Sequence, residues 1–438
     1  MTAAHLLSAR WIVPVEPAGI TLEHHSLLVE DGVITALLPT AEAHRRHPDV
    51  TETRLDSHAL IPGLVNLHTH AAMSLMRGLK DDLPLMTWLK EHIWPAENRH
   101  VSAEFVQDGS LLACAEMLRA GVTCFNDMYF FPEATADAVL ASGMRAALGI
   151  ITLDFPSSYA GDPEDYLRKG LAVRDAYKGE SRLSFTMAPH APYTVSDRTL
   201  TKILTLADQL ELPIHMHLHE TADEIAGSLA EHQVRPLTRL QALGLLGPTL
   251  IAVHMVHLNE AEIELIARAG VHVAHCPSSN LKLASGIAPV PALLAAGVNV
   301  ALGTDGAASN NRLDLLNEAR TAALLAKGST GEPTALTAHQ ALAMATLHGA
   351  RALGLDARIG SLVPGKAADI VAVDLSELET LPCYDVVSHL VYAAGREHIS
   401  HVWVEGELLL DARVLTKLDE RELMAKASHW NRILGAKT

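Results

Sequence analysis

Two histidines end an apolar stretch in the first part of the sequence, at a spacing that suits metal binding. The stretch reads Leu60-Ile-Pro-Gly-Leu-Val-Asn-Leu-His-Thr-His and ends in His68 and His70. In a strand, residues i and i+2 point to the same face, about 6.5–7 Å apart. Two imidazoles placed in this way can bind one ion at about 2.0–2.1 Å each. Polar residues at the rim of a sheet would give the same pattern, so this stretch alone leaves both interpretations open.

Polar side chains also follow other predicted strands. They are His190 after Phe185-Thr-Met-Ala-Pro, three histidines and Glu220 in His215-Met-His-Leu-His-Glu, His254 and His257 in Ala252-Val-His-Met-Val-His, and Asp305 in Leu302-Gly-Thr-Asp. Taken singly, such a histidine is more often a core or rim residue, and such an aspartate is more often a helix N-cap. Their joint occurrence indicates that they converge on one metal.

The ligand types indicate which metal and which chemistry. Three imidazoles and one carboxylate favour Zn²⁺ or Fe²⁺ over Ca²⁺ and Mg²⁺, which prefer oxygen ligands. The spacing does not decide which histidine of 215–219 is the ligand. A bound Zn²⁺ lowers the pKa of its water to about 7. Asp305 can take a proton from that water and Glu220 can deliver one to a leaving group, so the pattern predicts metal-assisted hydrolysis at an electrophilic carbon.

The elements that would position these residues alternate between apolar strands and amphipathic helices. Eight strands are predicted, at 60–67, 122–127, 146–152, 183–188, 213–218, 250–255, 272–275 and 298–303. Helices are predicted between them, for example at 103–120, 197–210, 260–269 and 291–296. This order favours a closed parallel (β/α)₈ TIM barrel, whose strand ends carry the active site. A doubly wound open sheet is the alternative, but it usually has a Gly-rich loop after its first strand.

Both ends of the chain have a different sequence pattern, in which short runs of alternating apolar and polar residues are broken by Gly and Pro. We expect residues 1–59 and 359–438 to form one small β-sandwich domain together, and residues 60–358 to form the catalytic barrel between them.

Composition limits the partners and the compartment. The 438 residues carry a net charge of −17, which argues against nucleic-acid or membrane partners. The four cysteines are far apart, and no secretory signal or run of about 20 apolar residues is evident. We therefore expect a cytoplasmic protein.

Read together, His68-Thr-His70, His217-Leu-His-Glu220, His254 and Gly303-Thr-Asp305-Gly resemble the amidohydrolase superfamily. The closest resemblance is to the 5′-methylthioadenosine/S-adenosylhomocysteine deaminases, and it extends over Pro277-Ser-Ser-Asn-Leu-Lys-Leu. It implies one divalent metal per subunit, Zn²⁺ or alternatively Fe²⁺, held by His68, His70, His217 and Asp305. The implied catalytic residues are Glu220, His254 and Asp305.

The resemblance also implies a purine nucleoside as the substrate and a homo-oligomer, either a dimer or a tetramer. Its substrate-binding residues would be Glu220 and Asp305 together with Trp88, Glu97, His190 and Ser309. Trp88 and Glu97 have competing interpretations, as helix packing and as a solvated helix residue. The region after the third strand, Gly149-Ile-Ile-Thr-Leu-Asp-Phe-Pro-Ser-Ser-Tyr, has no arginine before Arg168. We therefore expect a preference for the apolar methylthio group over the amino acid of S-adenosylhomocysteine.

Other functions remain open on the same residues. A deaminase of guanine, or a deaminase or chlorohydrolase of an s-triazine, would use the same metal chemistry, because a fold does not choose the ring. A non-catalytic binding protein is the alternative from another class, and the complete ligand set argues against it.

Overall fold

The computed structural model describes residues 4–435, which form two eight-stranded sheets and the helices around them. The strands are β1 (His5–Ile12), β2 (Leu22–Glu30), β3 (Val33–Pro39), β4 (Thr51–Pro62), β5 (Leu64–Thr69), β6 (Val122–Asp127), β7 (Arg145–Thr152), β8 (Leu183–Pro189), β9 (Ile214–Leu218), β10 (Leu250–His254), β11 (His272–His275), β12 (Asn299–Leu302), β13 (Ile370–Asp374), β14 (Ile399–Val404), β15 (Glu407–Asp411) and β16 (Val414–Leu415).

The α-helices lie mainly between the strands of the second sheet. They are α1 (Thr40–Arg46), α2 (Leu85–Trp88), α3 (Trp94–His100), α4 (Ala103–Arg119), α5 (Pro132–Ser142), α6 (Pro163–Ala176), α7 (Asp197–Leu210), α8 (Ala222–His232), α9 (Pro236–Ala242), α10 (Glu260–Ala269), α11 (Pro277–Lys282), α12 (Val290–Ala295), α13 (Leu315–Thr330), α14 (Ala338–Met344), α15 (Leu347–Ala352), α16 (Val386–Tyr392) and α17 (Glu420–Gly435).

The first sheet combines both ends of the chain, as the sequence predicts. Its order is β16-β15-β14-β13-β4-β1-β2-β3, and β4 from the N-terminal end pairs with β13 from the C-terminal end. One apolar cluster draws on both ends, with Leu7, Leu27 and Leu60 packing beside Ile370 and Trp403. The cluster is therefore complete only when both ends of the chain pair in one sheet.

The second sheet is a parallel barrel of β5 to β12 in chain order. Hydrogen bonds after β12 bring its end to β5: the Asp305 amide donates to His68 O at 2.9 Å, and the Thr304 amide donates to Asn66 Oδ1 at 2.9 Å. Gly303 allows this approach, since a Cβ there would lie 2.9 Å from the His68 backbone. The (β/α)₈ prediction is confirmed, and the carboxyl ends of all eight strands gather at one mouth.

The predicted first strand, 60–67, is divided between the two sheets. Residues 60–62 end β4, where Pro62 pairs with Ile370, and β5 begins only at Leu64. Gly63 makes the junction, because a Cβ there would lie 2.1 Å from the Thr123 hydroxyl. Both halves of the run are buried, so hydrophobicity does not reveal the change of sheet.

Two further features of the fold bear on the sequence predictions. The four cysteines are free, with Cys114, Cys124 and Cys276 buried and Cys383 partly buried. Over residues 4–435, the structure contains no helix of the length and apolarity needed to span a membrane.

Candidate active site

A cavity of about 370 Å³ opens at the carboxyl ends of the barrel strands. Its lining includes all but one of the predicted site residues, namely His70, Trp88, Glu97, His190, His217, Glu220, His254, Asp305 and Ser309. The exception is His68, which is fully buried beneath the cavity with its ring against those of His70, His217 and His254. The volume falls in the usual range for small-molecule sites, roughly 300–1,000 Å³.

Two groups of side chains at the base of the cavity have the spacing of metal ligands. One group is His68, His217 and His254, and the other is His68, His70 and Asp305, with ligand atoms within 4.8 Å of one another in each group. His68 belongs to both. The strands supply these residues from β5, β9, β10 and the turn after β12, so only the closed barrel brings them together.

Each of the three histidines predicted as ligands is anchored through Nδ1. His70 Nδ1 lies 2.6 Å from Met128 O, and His217 Nδ1 lies 2.8 Å from His190 O. A carbonyl only accepts, so both imidazoles carry a proton on Nδ1, which leaves Nε2 as the nitrogen directed to the cavity. His68 Nδ1 lies 2.9 Å from another imidazole nitrogen, Nε2 of His215. A hydrogen-bond partner at the second ring nitrogen is usual for a metal-binding imidazole.

The distances around Asp305 fit a cation. Its Oδ1 lies 3.4 Å from His68 Nε2 and 3.3 Å from His70 Nε2. Ligands bound to one Zn²⁺ at about 2.0–2.1 Å in a tetrahedral shell are roughly 3.4 Å apart. His68 Nε2 is also buried without a hydrogen-bond partner among residues 4–435. Burial lowers the pKa of His217 well below its usual range, which keeps it neutral as a ligand must be.

The backbone and a hydroxyl hold the Asp305 carboxylate in place. Asp305 has φ +61°, a left-handed conformation that costs about 1–3 kcal/mol outside glycine and that recurs at functional sites. Ser279 donates to its Oδ2 at 2.6 Å, and the Gly306 amide donates to its Oδ1 at 2.7 Å. Burial alone would raise the pKa of Asp305, but His68 and His70 hold it well below its usual range, so the carboxylate is ionised.

Glu220 faces His254 across the cavity, with 3.8 Å between Oε2 and Nε2. Burial raises the pKa of Glu220, as a general acid near neutral pH requires. Glu224, one turn into α8, fixes the backbone behind Glu220. Its carboxylate accepts from the amides of His219 at 2.9 Å and Glu220 at 2.8 Å.

His254 is oriented by a residue whose role the sequence analysis missed. His254 Nδ1 lies 2.8 Å from Asn280 Oδ1, so this imidazole carries its proton on Nδ1 and turns Nε2 toward Glu220. Asn280 belongs to the quoted stretch Pro277-Ser-Ser-Asn, which had no role assigned in the sequence analysis. Ser279, the partner of Asp305, lies in the same stretch. The signal was present in the motif, but the side-chain partners become visible only in the fold.

The helical segment between β5 and α4 supplies one side of the cavity. Trp88 donates from its indole nitrogen to Lys80 O at 3.0 Å, and its ring both packs in an apolar cluster and lines the cavity. Glu97 accepts from Tyr129 Oη at 2.8 Å. Burial raises the pKa of Glu97 to about 7, although this hydrogen bond opposes the rise. Packing and cavity lining are therefore compatible for Trp88, and Glu97 is not a fully solvated helix residue.

A π-helical turn at Leu89–Ile93 lets Trp88 and Glu97 both reach the cavity. Nine residues apart in a regular α-helix, at about 100° per residue, they would lie on opposite faces. The π turn is underwound and reduces that angle. Pro95 explains the irregularity, because it has no amide hydrogen to donate to the carbonyl of residue 91. The sequence analysis did not predict this turn.

The two histidines of β9 and His219, the residue after it, have three different surroundings. His217 lines the cavity, whereas His215 lies deeper and contacts His68. His219 has φ +54° and turns away, with Nδ1 3.0 Å from His257 O and Nε2 accepting from the Leu237 amide at 3.2 Å. Period-two spacing placed all three on one face, but that face changes surroundings along the strand.

The far end of the cavity is apolar. It is formed by the end of β7 and the segment after it, with Ile151, Leu153, Phe155 and Pro156 in the lining, and Trp94 faces Phe155 at 6.2 Å between ring centroids. The cavity lining from the described part of the chain contains no arginine or lysine. Arg168 is exposed on α6, where it pairs with Asp165.

The cavity at the carboxyl end of the barrel joins a histidine–aspartate cluster to a buried glutamate. This combination is typical of metal-dependent hydrolases with a barrel fold. Residues 59–409 match the profile of the Amidohydrolase family. The chain belongs to this family, as the sequence motifs predicted.

The relatives agree with that assignment. The chain is 48% identical over 425 residues to a 5-methylthioadenosine/S-adenosylhomocysteine deaminase from Saccharophagus degradans, covering 97% of this chain and 95% of the relative. A crystal structure of an adenosine deaminase from Xanthomonas campestris with bound zinc is 49% identical, with a TM-score of 0.96 and coverage of 99% of both chains. An atrazine chlorohydrolase from Arthrobacter aurescens complexed with zinc, 23% identical with a TM-score of 0.89 over 97% of this chain and 99% of the other, shares the fold.

Proposed function

We propose that this chain is a hydrolytic deaminase that converts 5′-methylthioadenosine to the inosine analogue and ammonia. The observation that carries the proposal is that one cavity joins the histidine–aspartate cluster to Glu220, Trp88 and Glu97. The histidine–aspartate cluster and Glu220 could serve any hydrolysis at an electrophilic ring carbon. Trp88 and Glu97 add a flat apolar surface and a hydroxyl acceptor, which a nucleoside needs. The deaminase names of the relatives support the same reaction.

The proposed ligands of one divalent metal are His68, His70, His217 and Asp305. Each has an Nε2 or carboxylate oxygen directed to the base of the cavity, and the zinc in the Xanthomonas campestris structure supports Zn²⁺ as the ion. His254 lies in one of the two ligand groups, but it is assigned to proton transfer because its Nε2 faces Glu220 Oε2 at 3.8 Å. Zn²⁺ bound there would lower the pKa of water to about 7 and supply hydroxide at neutral pH.

The protein side chains then move the protons. Asp305 accepts a proton from the attacking water, and Glu220 donates one to N1 of the purine, which makes C6 electrophilic. His254 accepts the other proton of the water at its Nε2 lone pair, and the N–H that forms donates to the attacking oxygen, where negative charge develops. Asp305 passes its proton to the amino group, the C6–N bond breaks and ammonia leaves, and the proton on His254 returns to Glu220, whose Oε2 lies 3.8 Å from His254 Nε2. Water supplies both the new oxygen and the protons, so the reaction balances.

The proposed substrate-binding residues contact different parts of the nucleoside. Trp88 stacks on the purine, and the Glu97 carboxylate accepts from the ribose hydroxyls, with Tyr129 fixing its other contact. His190 lies beside the ligand histidine His217, at 4.8 Å between ring centroids, and faces the ring. Ser309, after the Asp305 turn, reaches the far edge of the purine; its hydroxyl donates to Gly306 O at 3.1 Å when no ligand contacts it.

The apolar far end of the cavity supports a preference among adenosine derivatives. A methylthio group is apolar and suits Leu153, Phe155 and Pro156. The amino acid of S-adenosylhomocysteine carries a carboxylate and an ammonium, and leaving such charges without partners in an apolar site costs several kcal/mol. The proposal is therefore that 5′-methylthioadenosine is preferred. Comparable kcat/KM values for the two substrates would contradict this preference.

The test is an assay of ammonia release by zinc-loaded protein, together with the loss of adenine absorbance. Methylthioadenosine, S-adenosylhomocysteine, adenosine, guanine and an aminotriazine are compared at equal concentrations. The expected result is the highest kcat/KM for methylthioadenosine. Turnover of guanine or the triazine alone would retain the hydrolytic chemistry and overturn the proposed roles of Trp88 and Glu97.

A further inference from the structure

His215 is a fully buried histidine that contacts a proposed ligand without itself facing the cavity. Its Nε2 lies 2.9 Å from His68 Nδ1, and its ring is T-shaped against that of His68 at 5.0 Å. Its Nδ1 is buried and has no hydrogen-bond partner among residues 4–435. A buried polar atom left unpaired costs about 1–3 kcal/mol, so such a group in a well-packed interior requires an explanation.

The contact differs from those of the other two ligand imidazoles. His70 and His217 are each held by a backbone carbonyl, which fixes their proton on Nδ1. His68 lies deeper, between strands whose carbonyls take part in the sheet ladder. Its partner is an imidazole, and an imidazole nitrogen can either donate or accept. The tautomer of His68 therefore depends on that of His215.

Two proton arrangements satisfy this contact. In the first, His68 donates from Nδ1, so its Nε2 lone pair is free for a cation, and His215 carries its proton on the unpaired Nδ1. In the second, His215 donates from Nε2, so the His68 proton sits on Nε2 and blocks coordination. Only the first arrangement makes His68 a ligand, because a metal-binding imidazole needs a bare nitrogen.

We propose that His215 is a positioning residue for the metal site, which accepts the His68 Nδ1 proton and so holds His68 in its ligand form. In this arrangement His215 Nε2 accepts the proton, and the Nδ1–H of His215 stays buried without a partner. The inference rests on the proposed function only in taking His68 as a ligand. It does not depend on the substrate.

The test measures zinc binding to metal-free protein by competition with a chelator of known affinity. H215F keeps a ring of similar size without an acceptor, and H215Q offers an amide oxygen. H275F is the matched control, because His275 is also a buried strand histidine with an unpaired Nδ1 but belongs to neither ligand group. We expect H215F to weaken zinc binding about 10–100-fold. H215Q should recover part of the loss, and H275F should bind as the parent protein does.

Equal zinc affinity of H215F and the parent protein would overturn the inference. A packing role alone would lower the melting temperature of metal-free H215F and H215Q alike and leave zinc affinity unchanged, and this result would also overturn it. If H215F does not fold, the imidazole ¹⁵N shifts of the zinc-loaded parent protein decide, since a proton on His215 Nε2 contradicts the proposal.

A parallel H68A variant separates this inference from the ligand assignment. If H68A binds zinc as tightly as the parent protein, the proposed ligand set fails and the role of His215 fails with it. If H68A loses zinc while H215F retains it, only the role of His215 fails.

Discussion

The floor and the wall of the cavity are built in different ways. We call the floor the strand-end residues His68, His70, His217 and Asp305 with Glu220 and His254, and the wall the helical segment 85–100 with residues 151–157. Each floor imidazole has an Nδ1 partner within hydrogen-bond distance, and Asp305 accepts from Ser279 and Gly306. The wall presents mainly apolar surface, and its Glu97 carboxylate accepts from Tyr129.

This difference indicates a division of labour. Strand ends are held by a ladder on both sides, so they fix polar atoms precisely enough for proton transfer and metal binding. Helices and loops above the barrel can change their apolar residues without disturbing that ladder. Substitutions in the floor should therefore lower kcat or metal content, and substitutions in the wall should change KM and substrate choice.

The largest effect is expected for Asp305→Ala. It removes a proposed ligand and the proposed water base together, and a bound metal contributes several kcal/mol to catalysis, so kcat should fall roughly 10³-fold or more. Zinc content and ammonia release measure both effects. Asp108→Asn is the control, because Asp108 is buried against Trp430 and Lys426 outside the cavity. A variant that retains full zinc and activity would remove Asp305 from the floor.

Glu220→Gln should lower kcat by about 10²–10⁴, the usual contribution of a general acid or base, with zinc content unchanged. Glu224→Gln is the matched substitution one helical turn away. It retains one acceptor oxygen for the two amides, so a decrease of roughly tenfold or less is expected, as for a weakened neutral hydrogen bond. Near-full activity of Glu220→Gln would show that this carboxyl does not transfer the proton.

Trp88→Ala tests the wall. Base–aromatic stacking is worth about 1–3 kcal/mol, so KM for the nucleoside should rise about tenfold or more while kcat changes much less. Trp430→Phe serves as the control, because Trp430 packs in the same apolar cluster without lining the cavity. A fall in kcat with an unchanged KM would instead place Trp88 in the chemistry and break the division between floor and wall.

The smallest effect is expected from the titration of Glu97. Burial raises its pKa to about 7, so the fraction in the carboxylate form rises as pH increases from 6 to 8. In the proposed complex the carboxylate accepts hydrogen bonds from both ribose hydroxyls, so KM for the nucleoside should fall a few-fold over this range, about 1 kcal/mol. Glu97→Gln should lack this change. The inhibition constant of the free purine base, which has no ribose, should not change with pH over the same range.

Much of the floor could be predicted from the sequence. His68 and His70 end an apolar run, Asp305 follows another, and a parallel barrel brings strand ends together whatever its loops contain. The wall was predicted only through resemblance. Trp88 and Glu97 lie on a helix whose π turn at Leu89–Ile93 no periodicity indicated, and Tyr129, the partner of Glu97, was missed entirely.

By itself, the sequence determined which residue types the strands present at the mouth, because a two-residue period and burial fix the face of each side chain. It thereby determined the barrel and the chemistry that the histidines and carboxylates can perform. Only the tertiary structure decided where each of three histidines lies, since His215 and His217 of β9 and His219 after it share one face by period but meet three different neighbours. Those neighbours come from distant parts of the chain, and hydrogen-bond partners across such distances leave no trace in local spacing.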